Sequence, residues 1–172
     1  MLNRDFFNRD VLTVAPDLLG KVLVKKSKRK NLRMTITEVE AYDGECDEAN
    51  HAHRGKTSRT EVMYGNAGVW YVYLVYGMYY MLNVVTGGVG YPSAVLIRGT
   101  KEVSGPGRLT KALSVDKTFN NKNLNRKTGL WIEEGLTVPS EEIVKTTRVG
   151  VGYAKEWSKK PYRFIWIEKQ KL

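Results

Sequence analysis

The run Val69-Trp70-Tyr71-Val72-Tyr73-Leu74-Val75-Tyr76 constrains the fold more than any other stretch of the chain. It is built of β-branched, aromatic and aliphatic residues without a charge, so it favours extended backbone and reads as a central strand, apolar on both faces. Gly77 permits a sharp reversal, and Tyr79 to Thr86 follows as the partner strand of an antiparallel hairpin. Five tyrosines (Tyr71, Tyr73, Tyr76, Tyr79 and Tyr80) fall within ten residues around that turn. Tyr71 and Tyr80 are assigned to core packing. A hairpin tip is rarely core, so Tyr76 or Tyr79 is expected in solvent, where an aromatic ring can wedge open a base stack.

Other segments also read as strands. Gly20 to Lys26 and Leu32 to Tyr42 flank the basic patch Lys25-Lys26-Ser27-Lys28-Arg29-Lys30, which therefore reads as a solvated turn. Ser93 to Gly99, Leu130 to Glu133, Ile143 to Val149 and Tyr162 to Ile167 complete the set. Gly105 to Leu113 opens a helix with Leu109, Ala112 and Leu113 on one face, and its first amides could hold a phosphate. Ala154 to Lys160 reads as a short helix ended by Pro161. Many strands and few helices point to an α+β fold around an antiparallel sheet.

Strict alternation along the second strand puts Leu32, Met34 and Ile36 on one face, and counting on by twos adds Glu38, Glu40 and Tyr42. Unless a bulge shifts the register, two carboxylates continue an apolar stripe, where desolvation raises a carboxyl pKa and suits it to act as a base.

The 172 residues fit one domain, and no apolar run approaches a membrane span. The N-terminus lacks the pattern of an export signal, and the lone Cys46 cannot form an internal disulfide; both agree with an intracellular protein of the cytoplasm, nucleoid or nucleus. A net charge of +10 and a pI near 9.6 draw the chain towards polyanions, with nucleic acid the leading partner class and a merely solvated basic surface the competing reading. His51 and His53 near Cys46 invite a zinc site, but a single cysteine cannot supply the ligands of a nucleobase deaminase. Phosphate-loop and dinucleotide fingerprints are missing, which disfavours nucleotide hydrolysis and dinucleotide redox chemistry.

The stretch Glu38-Val39-Glu40-Ala41-Tyr42, followed by Asp47-Glu48-Ala49-Asn50-His51, resembles the signature of the alkyladenine (3-methyladenine) DNA glycosylase family. So do Tyr71-Val72-Tyr73-Leu74-Val75-Tyr76-Gly77-Met78-Tyr79, Asn83, Ala94 to Arg98, Ser104 to Leu109 and Arg148 to Gly152. These blocks run in family order across most of the chain. The resemblance implies one mixed domain over 1–172, a curved antiparallel sheet flanked by short helices, and a protruding tyrosine-bearing hairpin that enters the minor groove of damaged double-stranded DNA. It implies that Tyr76 fills the gap left by a flipped nucleotide while Met78 and Tyr79 press on neighbouring bases. Tyr42 and Tyr73 would sandwich the extruded purine, His51 would hydrogen-bond to it, and Asn83 would discriminate against the amino group of guanine. Glu40 with Arg98 would hold and activate the attacking water. Arg59, Arg108 and Lys111 are assigned to phosphates, no metal or organic cofactor is expected, and the protein is expected to act as a monomer. A non-catalytic damage- or nucleic-acid-binding protein using the same basic surface and aromatic hairpin is the alternative, and a buried carboxylate facing the bound base is what separates the two.

Two departures from the family pattern stand out. Only five residues separate Arg98 from Ser104, where many members carry a longer segment with a helix, so a peripheral DNA-facing element is expected to be absent. The chain stops at Leu172, where members usually continue through a short segment that lines the pocket, so a less closed site is expected.

Overall fold

The second strand organises the molecule. In the computed structural model, which describes residues 1–169, β2 (Leu32–Asp43) is twelve residues long and serves different neighbours along its length. Its first half pairs with β1 (Val22–Lys25) across the basic turn, and its second half lies between β5 (Ser93–Thr100) and β8 (Arg163–Trp166). The hairpin of β3 (Trp70–Val75) and β4 (Tyr79–Val85) adds to β5, β6 (Leu130–Glu133) adds to β1, and β7 (Ile143–Thr146) adds to β8. The result is one curled antiparallel sheet of eight strands with few short helices, the α+β fold that a strand-rich chain calls for. Residues 170–172, on which part of the expectation about the chain's end falls, lie outside the described residues.

Most of the buried apolar side chains gather on one face of this sheet. Met34, Ile36, Val39 and Ala41 of β2 join Leu82 and Val84 of β4 and Val95 and Ile97 of β5 there. Two helices that the sequence reading did not anticipate, α1 (Arg4–Phe7) and α2 (Val11–Leu18), cover that face through Phe7, Val14 and Leu18. Asn3 and Asp10 cap them by accepting the amides of Phe6 and Leu12, which ties down N–H groups that a helix start leaves free. The third helix, α3 (Pro106–Ala112), buries Leu109, Thr110 and the following Leu113, whereas Ala112, expected inside, faces solvent.

The hairpin departs from expectation in its place. β3 is the last strand on its side of the sheet rather than a central one. Its outer edge is nevertheless satisfied, because Trp70 N–H donates to Lys122 O, Asn121 N–H donates to Trp70 O, and the Asn120 side chain accepts from Val72 N–H. A covered edge explains why Trp70 to Val72 are as apolar as a central strand while Tyr73 to Val75, beyond that cover, are not buried.

Candidate active site

A β-bulge sets the position of Glu40. The register between β2 and β5 slips between Ile36 and Glu38 and again before Val39, so Met34 and Ile36 share the core face with Val39 and Ala41. Even spacing would have kept Glu38, Glu40 and Tyr42 in the apolar stripe; the extra residue turns them to the opposite face. Glu40 is still completely buried, because β5 and β8 flank it and residues 148–151 lie across it.

Polar donors converge on its carboxylate. Oε1 accepts the Val149 N–H at 2.7 Å and faces Arg98 Nε at 3.5 Å, and Oε2 accepts the Tyr42 hydroxyl at 2.8 Å. Burial raises the Glu40 pKa above the ordinary carboxylate range, while Arg98, the Val149 amide, Tyr42 and Arg148 pull it back. Arg98 is shared: its Nε also donates to Glu38 Oε1 at 3.0 Å, which receives Arg163 Nε at 2.8 Å as well.

Tyr42, Arg98 and Val149 line a cavity of about 540 Å³, a volume that suits a small organic ligand. Tyr73, His51 and Asn83 line the same cavity, as does Tyr76 at its mouth. The His51 and Tyr73 rings meet edge-on with centroids 4.5 Å apart. His51 Nδ1 lies 3.1 Å from the Tyr71 hydroxyl, and burial together with the charge of Arg59 pushes the imidazole pKa down to about 4, so the ring is neutral at physiological pH. Asn83 Nδ2 donates to Tyr71 O at 3.0 Å, which fixes the amide in the sheet as well as in the cavity wall.

The hairpin tip is exposed, as a two-residue reversal at a sheet end requires. Met78 N–H donates to Val75 O at 3.1 Å, and both residues between them, Tyr76 at φ 52° and Gly77 at φ 67°, occupy left-handed backbone. Tyr76 is 87% exposed, Met78 66% and Tyr79 45%. Helix α3 braces the hairpin: Thr110 Oγ1 donates to Tyr80 O at 2.9 Å, and Gly107 lies so close that a Cβ there would come within 2.8 Å of the Tyr79 ring. Arg108 and Lys111 are exposed on this helix beside the hairpin, whereas Arg59 lies in the cavity wall with its guanidinium 5.2 Å from the Tyr73 ring centroid.

Two residues to which the sequence reading gave no role here, Tyr71 and Arg148, belong to this site. Tyr71, assigned to the core, is buried but turns its hydroxyl to His51 and lines the cavity. Arg148 is fully buried and gripped by Asp47 at 2.5 and 2.8 Å and by Ala41 O at 2.8 Å, and its guanidinium lies between the rings of Tyr42 (4.9 Å) and Tyr162 (5.2 Å). It therefore backs Tyr42 from outside the cavity and anchors the segment after β7, whose next residue, Val149, donates to Glu40. A buried guanidinium announces itself in sequence only when a buried partner is known, and Asp47 lies 101 residues away. Among the described residues no group of three or more His, Cys, Asp and Glu is placed to hold a metal ion, and no helix is long and apolar enough to cross a membrane.

An aromatic slot backed by a buried, arginine-flanked carboxylate, with an exposed tyrosine tip at its mouth, is a pocket whose walls suit a flat ligand. Comparison with known proteins gives the chain a family. The profile of the family described as Methylpurine-DNA glycosylase (MPG) matches residues 5–104 and 99–171, and its two segments meet at the short loop after β5. A protein of Methanocella arvoryzae is 41% identical over 184 residues, covering 95% of this chain and 91% of its own. Proteins of Anaeromyxobacter sp. and Legionella pneumophila (strain Corby) are each 44% identical over 170 residues, covering 95% of this chain and 87% and 92% of their own. All three carry the name "Putative 3-methyladenine DNA glycosylase". The chain belongs to the methylpurine-DNA glycosylase family and is a DNA glycosylase.

Proposed function

We propose that the protein removes alkylated or deaminated purines, of the 3-methyladenine, hypoxanthine and ethenoadenine class, by flipping the nucleotide out of duplex DNA and hydrolysing its N-glycosidic bond. The observation that carries this is the fully buried Glu40 held immediately behind the slot by Tyr42, Arg98 and Val149. A protein that only bound DNA would gain nothing from an anion in that place.

Tyr76 enters the stack at the hairpin tip and fills the space of the departed nucleotide, with Met78 and Tyr79 against its neighbours. Arg108 and Lys111 hold phosphates beside them. The purine stacks between Tyr42 and Tyr73, with His51 and Asn83 reading its edge. As the Tyr42 ring takes up the base, its hydroxyl leaves Oε2 and opens Glu40 to water. Glu40 accepts the proton as the water oxygen bonds C1′, and its charge favours the oxocarbenium character that the sugar acquires. Arg98 orients the carboxylate. The C1′–N9 bond breaks with its electron pair on the purine, leaving an abasic site. Water and a carboxylate suffice for this hydrolysis, so it calls for no metal or organic cofactor, and one monomer holds every residue named.

The test is single-turnover base release from lesion duplexes by the native protein and its Glu40→Gln form. Release that disappears in the variant while lesion binding persists supports the assignment. Binding without release by the native protein would make the chain a damage-binding protein.

A further inference from the structure

Two of the tyrosines that wall the slot carry a guanidinium against the ring, and the two cations differ in their compensation. Arg148, behind Tyr42, is neutralised by a bidentate pair with Asp47. Arg59, over Tyr73 and itself part of the cavity wall, forms no salt bridge with any carboxylate among the described residues. The third arginine of the pocket, Arg98, is shared between Glu38 and Glu40. Arg59 therefore stands at the slot as a positive charge without a carboxylate partner among the described residues.

We propose that Arg59 determines which purines the slot accepts, favouring a base that enters neutral and leaves with negative charge over one that enters as a cation. This rests on the glycosylase reading above. When the C1′–N9 bond of a neutral purine breaks, the electron pair stays on the purine, while the water oxygen bonds C1′ and gives its proton to Glu40. Negative charge then grows on the base, and Arg59, exposed but held against the Tyr73 ring at the cavity wall, stabilises it. A cationic alkylated purine takes the same electron pair and becomes neutral, so Arg59 repels it on entry and attracts nothing on exit. Arg59 also occupies a face of Tyr73, which weakens that ring as a partner for a cationic base. The neighbouring His51 is held neutral, partly by Arg59 itself, so it is no strong proton donor to the leaving base. Arg59 thus acts on the base, not on a phosphate as its place in a basic stretch suggests.

The experiment compares native protein, Arg59→Gln and Arg59→Lys for single-turnover release of hypoxanthine and of 3-methyladenine at one salt concentration, together with binding to undamaged duplex across a salt series. The expected result is that Arg59→Gln lowers the hypoxanthine to 3-methyladenine ratio of single-turnover rates at subsaturating protein about tenfold, the effect of one pKa unit of charge stabilisation. Arg59→Lys should restore most of that ratio, and the salt slope on undamaged DNA should not change. Equal losses on both lesions, with the salt slope smaller by about one, would make Arg59 a phosphate contact and overturn the proposal. An unchanged ratio and slope would overturn it too. Native protein that releases neither base would refute the glycosylase reading itself, a failure distinct from these.

Discussion

Replacing Tyr76 by asparagine should stabilise the protein while removing its preference for lesion DNA. Tyr76 holds φ 52° next to Gly77 at φ 67°, so both central residues of the turn are left-handed. That backbone costs a residue with a Cβ about 1–2 kcal/mol, whereas asparagine tolerates it and Asn-Gly is the favoured pair for such a hairpin. The ring is 87% exposed, so its removal sacrifices almost no burial. The folded state should gain about 0.5–1 kcal/mol, which for a chain of this size raises Tm by about 1–4 °C. The same change removes an aromatic plug, and one base–aromatic stack is worth about 1–3 kcal/mol, so affinity for a lesion duplex should fall by roughly 5- to 150-fold. Affinity for undamaged duplex should hold, because phosphate contacts carry it. Thermal unfolding and fluorescence anisotropy on paired duplexes read both quantities. A lower Tm would show that the ring packs in the folded protein, and equal affinity losses on the two duplexes would refute the wedge.

Two further changes test how Glu40 is held. Tyr42→Phe deletes a hydroxyl that lowers the Glu40 pKa in the free protein, so the carboxylate should protonate at higher pH and the acid limb of the kcat/KM profile for excision should move upward; an unmoved limb would detach Glu40 from that limb. Arg148→Met leaves Asp47 buried without its cation and should destabilise the fold by about 3–5 kcal/mol in a denaturant titration. Asp47→Asn added to it should recover part of that loss, and no recovery would mean that packing around Tyr42 and Tyr162, not charge, dominates the site.

The strands were legible because their composition and alternation are local properties. The runs around the basic turn, the Tyr-rich hairpin and Ser93 to Gly99 were placed within about two residues of where they stand. The N-terminal helices were not, since α1 spans four residues and α2 carries Pro16 within it, which leaves little helical periodicity to read. The edge position of β3 was equally hidden. A strand covered by the loop around Asn120 to Lys122 has the composition of a central one, and the loop that covers it begins some fifty residues further on.

The bulge between Ile36 and Val39 shows most clearly where periodicity stops being informative. Counting by twos put Glu40 in the apolar stripe, and its burial there would have followed from the core alone. The register slip moves it to the other face, so its burial needs a separate cause. That cause is the segment around Arg148, which crosses β2 because its guanidinium binds Asp47 and the Ala41 carbonyl, and which then presents the Val149 amide to Glu40. The carboxylate is thus desolvated by a polar network and not by hydrocarbon. A polar network can supply donors that keep the anion accessible near neutral pH, where a hydrocarbon core would leave it protonated. A base that must be both shielded and ionised is better served on the bulged face, and a strand in strict register could not have placed it there.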